Sequence, residues 1–182
     1  MAADTRRRVP VTTQPLAVTG RDISTELYAR LRRPQNSIYI VSPYLQDYSF
    51  LNTSPLSSLL LNQLSVGTRV TILTTPPPGR PERSAAKTKY VLLRRLRDQG
   101  VRVLVNTELH AKIYLFEESV ITRSVIMGSA NMTSHAMNEL LEVVIASYNH
   151  EFYKALFQIV IRFEDHRGTM DLTRWADRSG IS

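Results

Sequence analysis

Short strand-forming runs alternate with longer segments of helical spacing through most of this chain, and that alternation restricts its fold more than any other feature. Arg21 to Arg33 carries Ile23, Leu27 and Leu31 on one helical face, and Pro34 ends it. Ser37-Ile-Tyr-Ile-Val-Ser42 then reads as a buried strand stopped at Pro43. Ser54-Pro55 reads as an N-cap and first-turn pair that opens a helix over Leu56 to Leu64, with Gly67 after it. Thr68 to Thr74 is the next strand. A Pro-rich irregular loop over 75–84, a helix over Ala85 to Asp98 closed by Gly100, and a strand at Val101 to Val105 follow. Strands at 109–116, 124–127 and 141–147 and a helix over His150 to Phe163 complete the series. The expected fold is α/β, a mixed β-sheet flanked by helices on both faces. With 182 residues the chain supports one substantial core rather than two. The expected divisions are a basic N-terminal segment over 1–19 with room for flexibility, a main domain over 20–165, and an extension over 166–182 whose Trp175 belongs to a short helix packed on the body or on a partner.

The chemistry is concentrated between His110 and Glu142. His110 and Lys112 stand two positions apart in a strand-like run, and such positions share one face of an extended chain. An imidazole and an ammonium therefore project together. A second run, Ser124 to Met127, leads into Gly128-Ser129-Ala130-Asn131, where the glycine lets the backbone turn and approach a ligand. Imidazole, with a pKa of roughly 6.5, serves as nucleophile or acid near neutral pH. Lys112, Ser129 and Asn131 offer donors for the non-bridging oxygens of a phosphate. Glu142, at the start of the next apolar run, can accept the other imidazole N–H and fix the tautomer. No metal and no cofactor is required by this set.

The same residues resemble the HKD motif of the phospholipase D superfamily, His-x-Lys, four residues, Asp, then Gly-Ser-x-Asn. On that resemblance His110 takes the nucleophile position, Lys112 the phosphate-binding position, Ser129 and Asn131 the Gly-Ser-x-Asn positions, and Glu142 the downstream acid. The implied architecture is a phospholipase D-like single domain. Glu117 stands where the motif has Asp, and Glu118 to Met127 is longer than the usual connection, which reads as a lengthened hairpin loop. Longer connections of this kind resemble those of the superfamily's metal-independent restriction endonuclease branch.

The superfamily's mechanism uses two histidines, one attacking to form a phosphohistidine and one protonating the leaving oxygen. This chain has four His, and neither His135, His150 nor His166 begins a second His-x-Lys pair. His135 and His166 read as surface histidines. The resemblance therefore implies a homodimer whose two-fold axis brings two copies of His110 to one composite site.

Charge points to the substrate. A net charge of +7 favours polyanions, and two basic concentrations stand out: Arg6, Arg7 and Arg8, and the run Arg80, Arg83, Lys87, Lys89, Arg94, Arg95 and Arg97. Either cluster is also compatible with plain solvated surface. Tyr44, just past the strand that ends at Ser42-Pro43, is placed to stack on a base or bond a phosphate, or else to pack its ring in the core. Thr107, Glu108, Ser134 and Asn138 flank the motif and are candidate cleft residues. Cysteine is absent, which excludes disulfides and cysteine zinc sites. Met1 to Pro10 lacks the apolar stretch of a signal peptide, no run approaches a membrane span, and no segment has a broad aromatic face for a lipid surface, so a cytoplasmic protein is expected.

Together with the resemblance, which implies the phosphohistidine and the homodimer, these residues lead to the expectation of a metal-independent endonuclease, with DNA favoured over RNA. The alternative is a non-catalytic or auxiliary DNA-binding subunit working with partner proteins of a bacterial defence or restriction system. A phospholipid phosphodiesterase ranks behind both.

Overall fold

The computed structural model describes residues 16–19, 21–50, 54–77, 84–138 and 142–181. In chain order the elements are β1 (Leu16–Thr19), α1 (Arg21–Leu31), β2 (Ser37–Val41), β3 (Ser49–Phe50), β4 (Ser54–Pro55), α2 (Leu56–Ser65), β5 (Arg69–Thr74), α3 (Ser84–Asp98), β6 (Arg102–Val105), β7 (Ile113–Glu117), β8 (Arg123–Gly128), α4 (Ser134–Asn138), β9 (Val143–Ser147), α5 (His150–Glu164), β10 (Met170–Asp171) and α6 (Leu172–Arg178). The main sheet has the order β1-β9-β8-β7-β2-β5-β6-β10, and β3 pairs separately with β4. Strands β2, β5 and β6 are parallel, as the helical crossovers α2 and α3 require, while the other pairs in the main sheet are antiparallel. The α/β expectation of a mixed sheet covered on both faces holds.

Alternation along the strands divides the core in two. Ile38, Ile40, Ile72, Val103, Tyr114, Phe116, Ile126 and Val144 face one side, together with Ile23 and Leu27 of α1, Leu56 and Leu60 of α2, Leu93 and Leu96 of α3, and Leu172 of α6. Val41, Leu73, Leu104, Ile113, Leu115 and Val125 face the other, where Tyr153, Leu156 and Val160 of α5 cover them. The sheet reaches past residues 20–165 at both ends. β1 pairs with β9, and β10 pairs with β6, so residues of the C-terminal stretch contribute both an edge strand and the fully buried Leu172.

Two local expectations are corrected. Ser54 and Pro55 form a short strand, and Pro55, at the N-cap of α2, makes no side-chain cap bond. Asp47 supplies the cap instead, its carboxylate accepting the Ser57 N–H at 2.8 Å and the Ser57 hydroxyl at 2.7 Å. Between Glu117 and Met127 the hairpin connection is shorter than the Glu118 to Met127 span suggested, because only residues 118–122 are loop and Arg123 to Met127 already belong to β8. β7 runs to Glu117 and β8 starts at Arg123, and the turn between them is tied by the Glu118 and Ser119 N–H groups to the Thr122 carbonyl. Glu117, in the motif's Asp position, lies at the far end of β7 from His110 and accepts bonds from Arg123 Nε at 2.9 Å and Ser37 Oγ at 2.9 Å. It is a structural carboxylate. Among the described residues no helix is long and apolar enough to cross a membrane.

Candidate active site

One end of the sheet gathers the C-terminal ends of β2, β5, β6 and β8 and the N-terminal ends of β7 and β9, as the registers dictate. After β6 the chain crosses the ends of β5 and β2 to reach β7. Asn106 anchors that crossover, with its N–H on the Thr74 carbonyl at 2.9 Å and its side-chain oxygen accepting the Glu108 N–H at 2.8 Å. His110 and Lys112 lie on this crossover. They were expected inside a strand, but pairing between β7 and β2 begins at Ile113, and the two residues form its lead-in. Buried Leu109 and Ile113 pin the segment against the α5 side of the core. His110 is exposed, and the Lys112 ammonium reaches back to the His110 carbonyl at 2.9 Å. An ammonium has three donors, so two remain for a ligand.

β8 delivers the second half of the motif. The Gly128 N–H donates to the Lys112 carbonyl at 3.2 Å, which ties the two halves together through the backbone. Gly128 does not turn the chain, as the sequence suggested. It belongs to β8, and its missing side chain lets β9 approach: a Cβ there would overlap the Val143 carbonyl oxygen. Ser129 next engages Val143 three times. Its N–H donates to the Val143 carbonyl at 3.1 Å, and its hydroxyl accepts the Val143 N–H at 3.1 Å and donates to the same carbonyl at 3.3 Å. The serine hydroxyl expected on a phosphate is thus bonded to the residue that follows Glu142.

The loop continues through Ala130, whose carbonyl accepts the buried Tyr114 hydroxyl at 2.7 Å. Asn131 is half-buried, and its Oδ1 is buried with no hydrogen-bond partner among the described residues. An acceptor left in that state is costly, and a donor arriving with a ligand or from an imidazole would satisfy it. Met132 is held by Ser42, whose buried hydroxyl accepts the Met132 N–H at 2.9 Å and donates to the Tyr44 carbonyl at 2.7 Å. Glu142 sits half-buried directly before β9. Burial drives the Tyr114 hydroxyl far above its ordinary pKa, a bond with Ser42 opposes that, and the negative charge of Glu142 adds to it. Glu142, Tyr114, Ser42 and the Gly-Ser-x-Asn turn are therefore electrostatic neighbours.

The expected nucleic-acid contacts divide. Arg6, Arg7, Arg8, Arg80 and Arg83 lie outside the described residues. Lys87, Arg94 and Arg95 are exposed on α3, and Arg94 stands 3.9 Å from Asp98. Lys89 is corrected: only 8% exposed, it donates to the Pro43 carbonyl at 2.8 Å and to Thr75 Oγ1 at 3.0 Å, so its ammonium is turned into the protein. Tyr44 is 63% exposed, and packing of its ring in the core is ruled out. His166 is exposed and borders a small cavity of about 160 Å³ with His110 and Glu108; its Nδ1 accepts the Gly168 N–H at 3.2 Å. Sequence reasoning missed Tyr114 and Asn106. A tyrosine in an apolar strand reads as core, and nothing in a lone asparagine signals a crossover anchor. Among the described residues no group of three or more His, Asp or Glu is placed to hold a metal ion.

A family model described as "Cardiolipin synthase, PLD-like domain" matches residues 27–163, more than half of the chain. Among solved structures, the chain resembles the phospholipase D family member Nuc from Salmonella typhimurium at TM-score 0.61 and 14% identity, covering 87% of this chain and 98% of that one. NucT from Helicobacter pylori superposes with TM-score 0.66 at 12% identity over 87% of this chain and 99% of NucT. TrmBL2, described as an archaeal chromatin protein with a novel mode of DNA binding, gives TM-score 0.57 at 13% identity over 87% of this chain and 55% of that one. No curated protein matches the sequence.

Proposed function

We propose that this chain, which belongs to the phospholipase D superfamily and is on that ground a phosphodiesterase-type enzyme, cleaves nucleic acid at a site shared by two copies of itself. The observation that supports the assignment is the meeting, at one sheet end, of the segments that carry His110, Lys112, Asn131 and Glu142, tied by the Lys112–Gly128, Ser129–Val143 and Ser42–Met132 bonds.

In the proposed reaction a nitrogen of His110 attacks the phosphorus and forms a P–N bond as the P–O bond to the leaving nucleoside breaks. The leaving oxygen takes a proton from His110 of the partner subunit. Water then attacks the phosphohistidine, the P–N bond breaks, and the second imidazole receives the water proton. Lys112 and Asn131 hold the non-bridging oxygens and stabilise the charge of each in-line transition state. Ser129 acts through position, because its bonds to Val143 fix where Glu142 enters the site. Glu142 orients the imidazole. The net charge of +7 favours a polyanionic substrate, and the likeness to Nuc, NucT and a DNA-binding chromatin protein supports nucleic acid, DNA before RNA.

The test is cleavage of labelled single- and double-stranded DNA and RNA in excess EDTA, with wild type and His110→Ala both checked for dimerisation by light scattering. Cutting that persists in EDTA and drops at least about 10³-fold in His110→Ala supports the assignment. Inert wild type that binds DNA with steep salt dependence sinks it and favours the auxiliary DNA-binding subunit of a defence system. Turnover of phosphatidylglycerol vesicles without nuclease activity favours the lipid phosphodiesterase.

A further inference from the structure

A second depression, enclosing about 320 Å³, opens against Thr133, two residues past Asn131. Tyr44, Leu45 and Gln46 line it from the segment after β2, Lys89 and Leu92 from α3, and Thr133 from the motif loop. It shares a wall with the candidate active site. Leu45 bridges to Met132, the Gln46 N–H donates to the Met132 carbonyl at 3.0 Å, and the Thr133 N–H donates to the Asn131 carbonyl at 2.8 Å. The pocket wall is therefore continuous with the loop that carries Asn131.

The lining defines the chemistry of the occupant. Leu45 and Leu92 are buried and apolar, while the Tyr44 ring stands largely exposed at the rim, where a planar ligand can stack on it. The charges nearby are already engaged: the Lys89 ammonium is bonded to Pro43 and Thr75, and the Asp47 carboxylate caps α2 through Ser57. Neither is turned toward a phosphate. Gln46 is exposed at the rim, and its side chain can both donate and accept, as the edge of a heterocycle demands. The volume falls at the lower end of the roughly 300–1,000 Å³ typical of ligand pockets, which suits one ring system rather than paired acyl chains.

We infer that this pocket holds one nucleobase of the bound strand, next to the scissile phosphate, with Tyr44 stacked on its face. The identity of the ligand rests on the nucleic-acid assignment above, since it is the phosphate at Asn131 that would deliver a base to Tyr44. Substrate would then be gripped at two adjacent points, its phosphate by Lys112 and Asn131 and its base by Tyr44.

The experiment measures binding of a short fluorescent single strand in which one abasic unit is moved position by position. It uses the full-length His110→Ala protein so that nothing is cut, with Tyr44 intact, Tyr44→Ala or Tyr44→Trp. The expected result is one position at which the abasic unit weakens binding about tenfold, abolished by Tyr44→Ala and restored by Tyr44→Trp. Equal binding at every abasic position overturns the pocket, and no binding of any strand overturns both the pocket and the nucleic-acid assignment. Hydrolysis of bis(4-nitrophenyl) phosphate by the unmutated protein in EDTA reports the His110 chemistry separately, because that diester carries no base. Hydrolysis with no position-dependent abasic effect rejects the pocket and keeps the phosphodiesterase; a position-dependent effect without hydrolysis rejects the catalytic assignment and keeps the pocket.

Discussion

Gly128 lies against Val143 with no room for a side chain: a Cβ on Gly128 would overlap the Val143 carbonyl oxygen and come within 2.7 Å of the Val144 Cα. Backbone atoms of a paired strand cannot rotate aside as a side chain can. Gly128→Ala should therefore push β9 away from β8 and cost about 2–3 kcal/mol, in the upper range of overpacking. Urea denaturation measures the loss. A variant as stable as wild type would show that the two strands separate freely at this point.

Ser42 is the second lever on the motif loop. Its buried hydroxyl satisfies the Met132 N–H, one residue past Asn131. Ser42→Ala leaves that donor buried and unpaired, at a cost of about 1–3 kcal/mol. Diester turnover should fall more than the stability loss accounts for, because Asn131 loses its register. Turnover retained in full at a temperature where the variant is folded would remove Ser42 from the positioning set.

Lys89 predicts a pH effect on stability. Burial pushes its ammonium down from 10.5 to about 8. The folded value lies below the unfolded one, so between about pH 8 and 10.5 the unfolded chain holds the proton that the folded chain has shed, and stability gains as pH rises through that window. In Lys89→Met the gain is absent. The difference in urea midpoint between wild type and variant should climb in favour of wild type from pH 8 upward, and a constant difference would place the ammonium in water.

Glu117 behaves in the opposite sense. Burial acts to raise its carboxyl, but hydrogen bonds from Arg123 and Ser37 outweigh that and hold the pKa below its ordinary 4.5. A depressed folded value contributes stability above the unfolded pKa and loses it as pH falls through the folded one. Glu117→Gln should be less stable by about 1 kcal/mol at neutral pH, with the gap closing on acidification below pH 4.5. Because this carboxylate sits at the opposite end of β7 from His110, diester turnover measured alongside should be spared. A proportional loss of turnover would tie it to the chemistry.

The order of strands and helices was legible because apolar period and Gly or Pro punctuation agree in each segment. Arg21 to Leu31 and Leu56 to Ser65 appear where Ile23, Leu27 and the Leu56–Leu64 pattern place them. Hydrogen-bond partners far apart in sequence were not legible. Asp47 caps α2 from ten residues away, and Ser42 holds Met132 across 90 positions. Neither is written in a local pattern. Lys89 is misplaced for a related reason: within a basic run every cation looks solvated, and only the fold brings this one within reach of the Pro43 carbonyl, 46 positions away. Gly128 was read as a turn because a glycine before Ser-x-Asn resembles one, whereas its role is set by β9, which arrives fifteen residues later (143 − 128 = 15).

The β1 edge carries a consequence for how the molecule is made. Leu16 pairs with Ala146, a separation of 146 − 16 = 130 residues, whereas β2, β5 and β6 are near neighbours in the chain. On a ribosome the parallel centre can pair early, and the N-terminal edge must wait with its strand uncommitted until β9 emerges. Glu142 and the Val143 amide that anchors Ser129 arrive with that same late strand. A nascent chain thus carries His110 before it carries Glu142 and Val143, and the two halves of the motif are joined only once β9 has paired with β8.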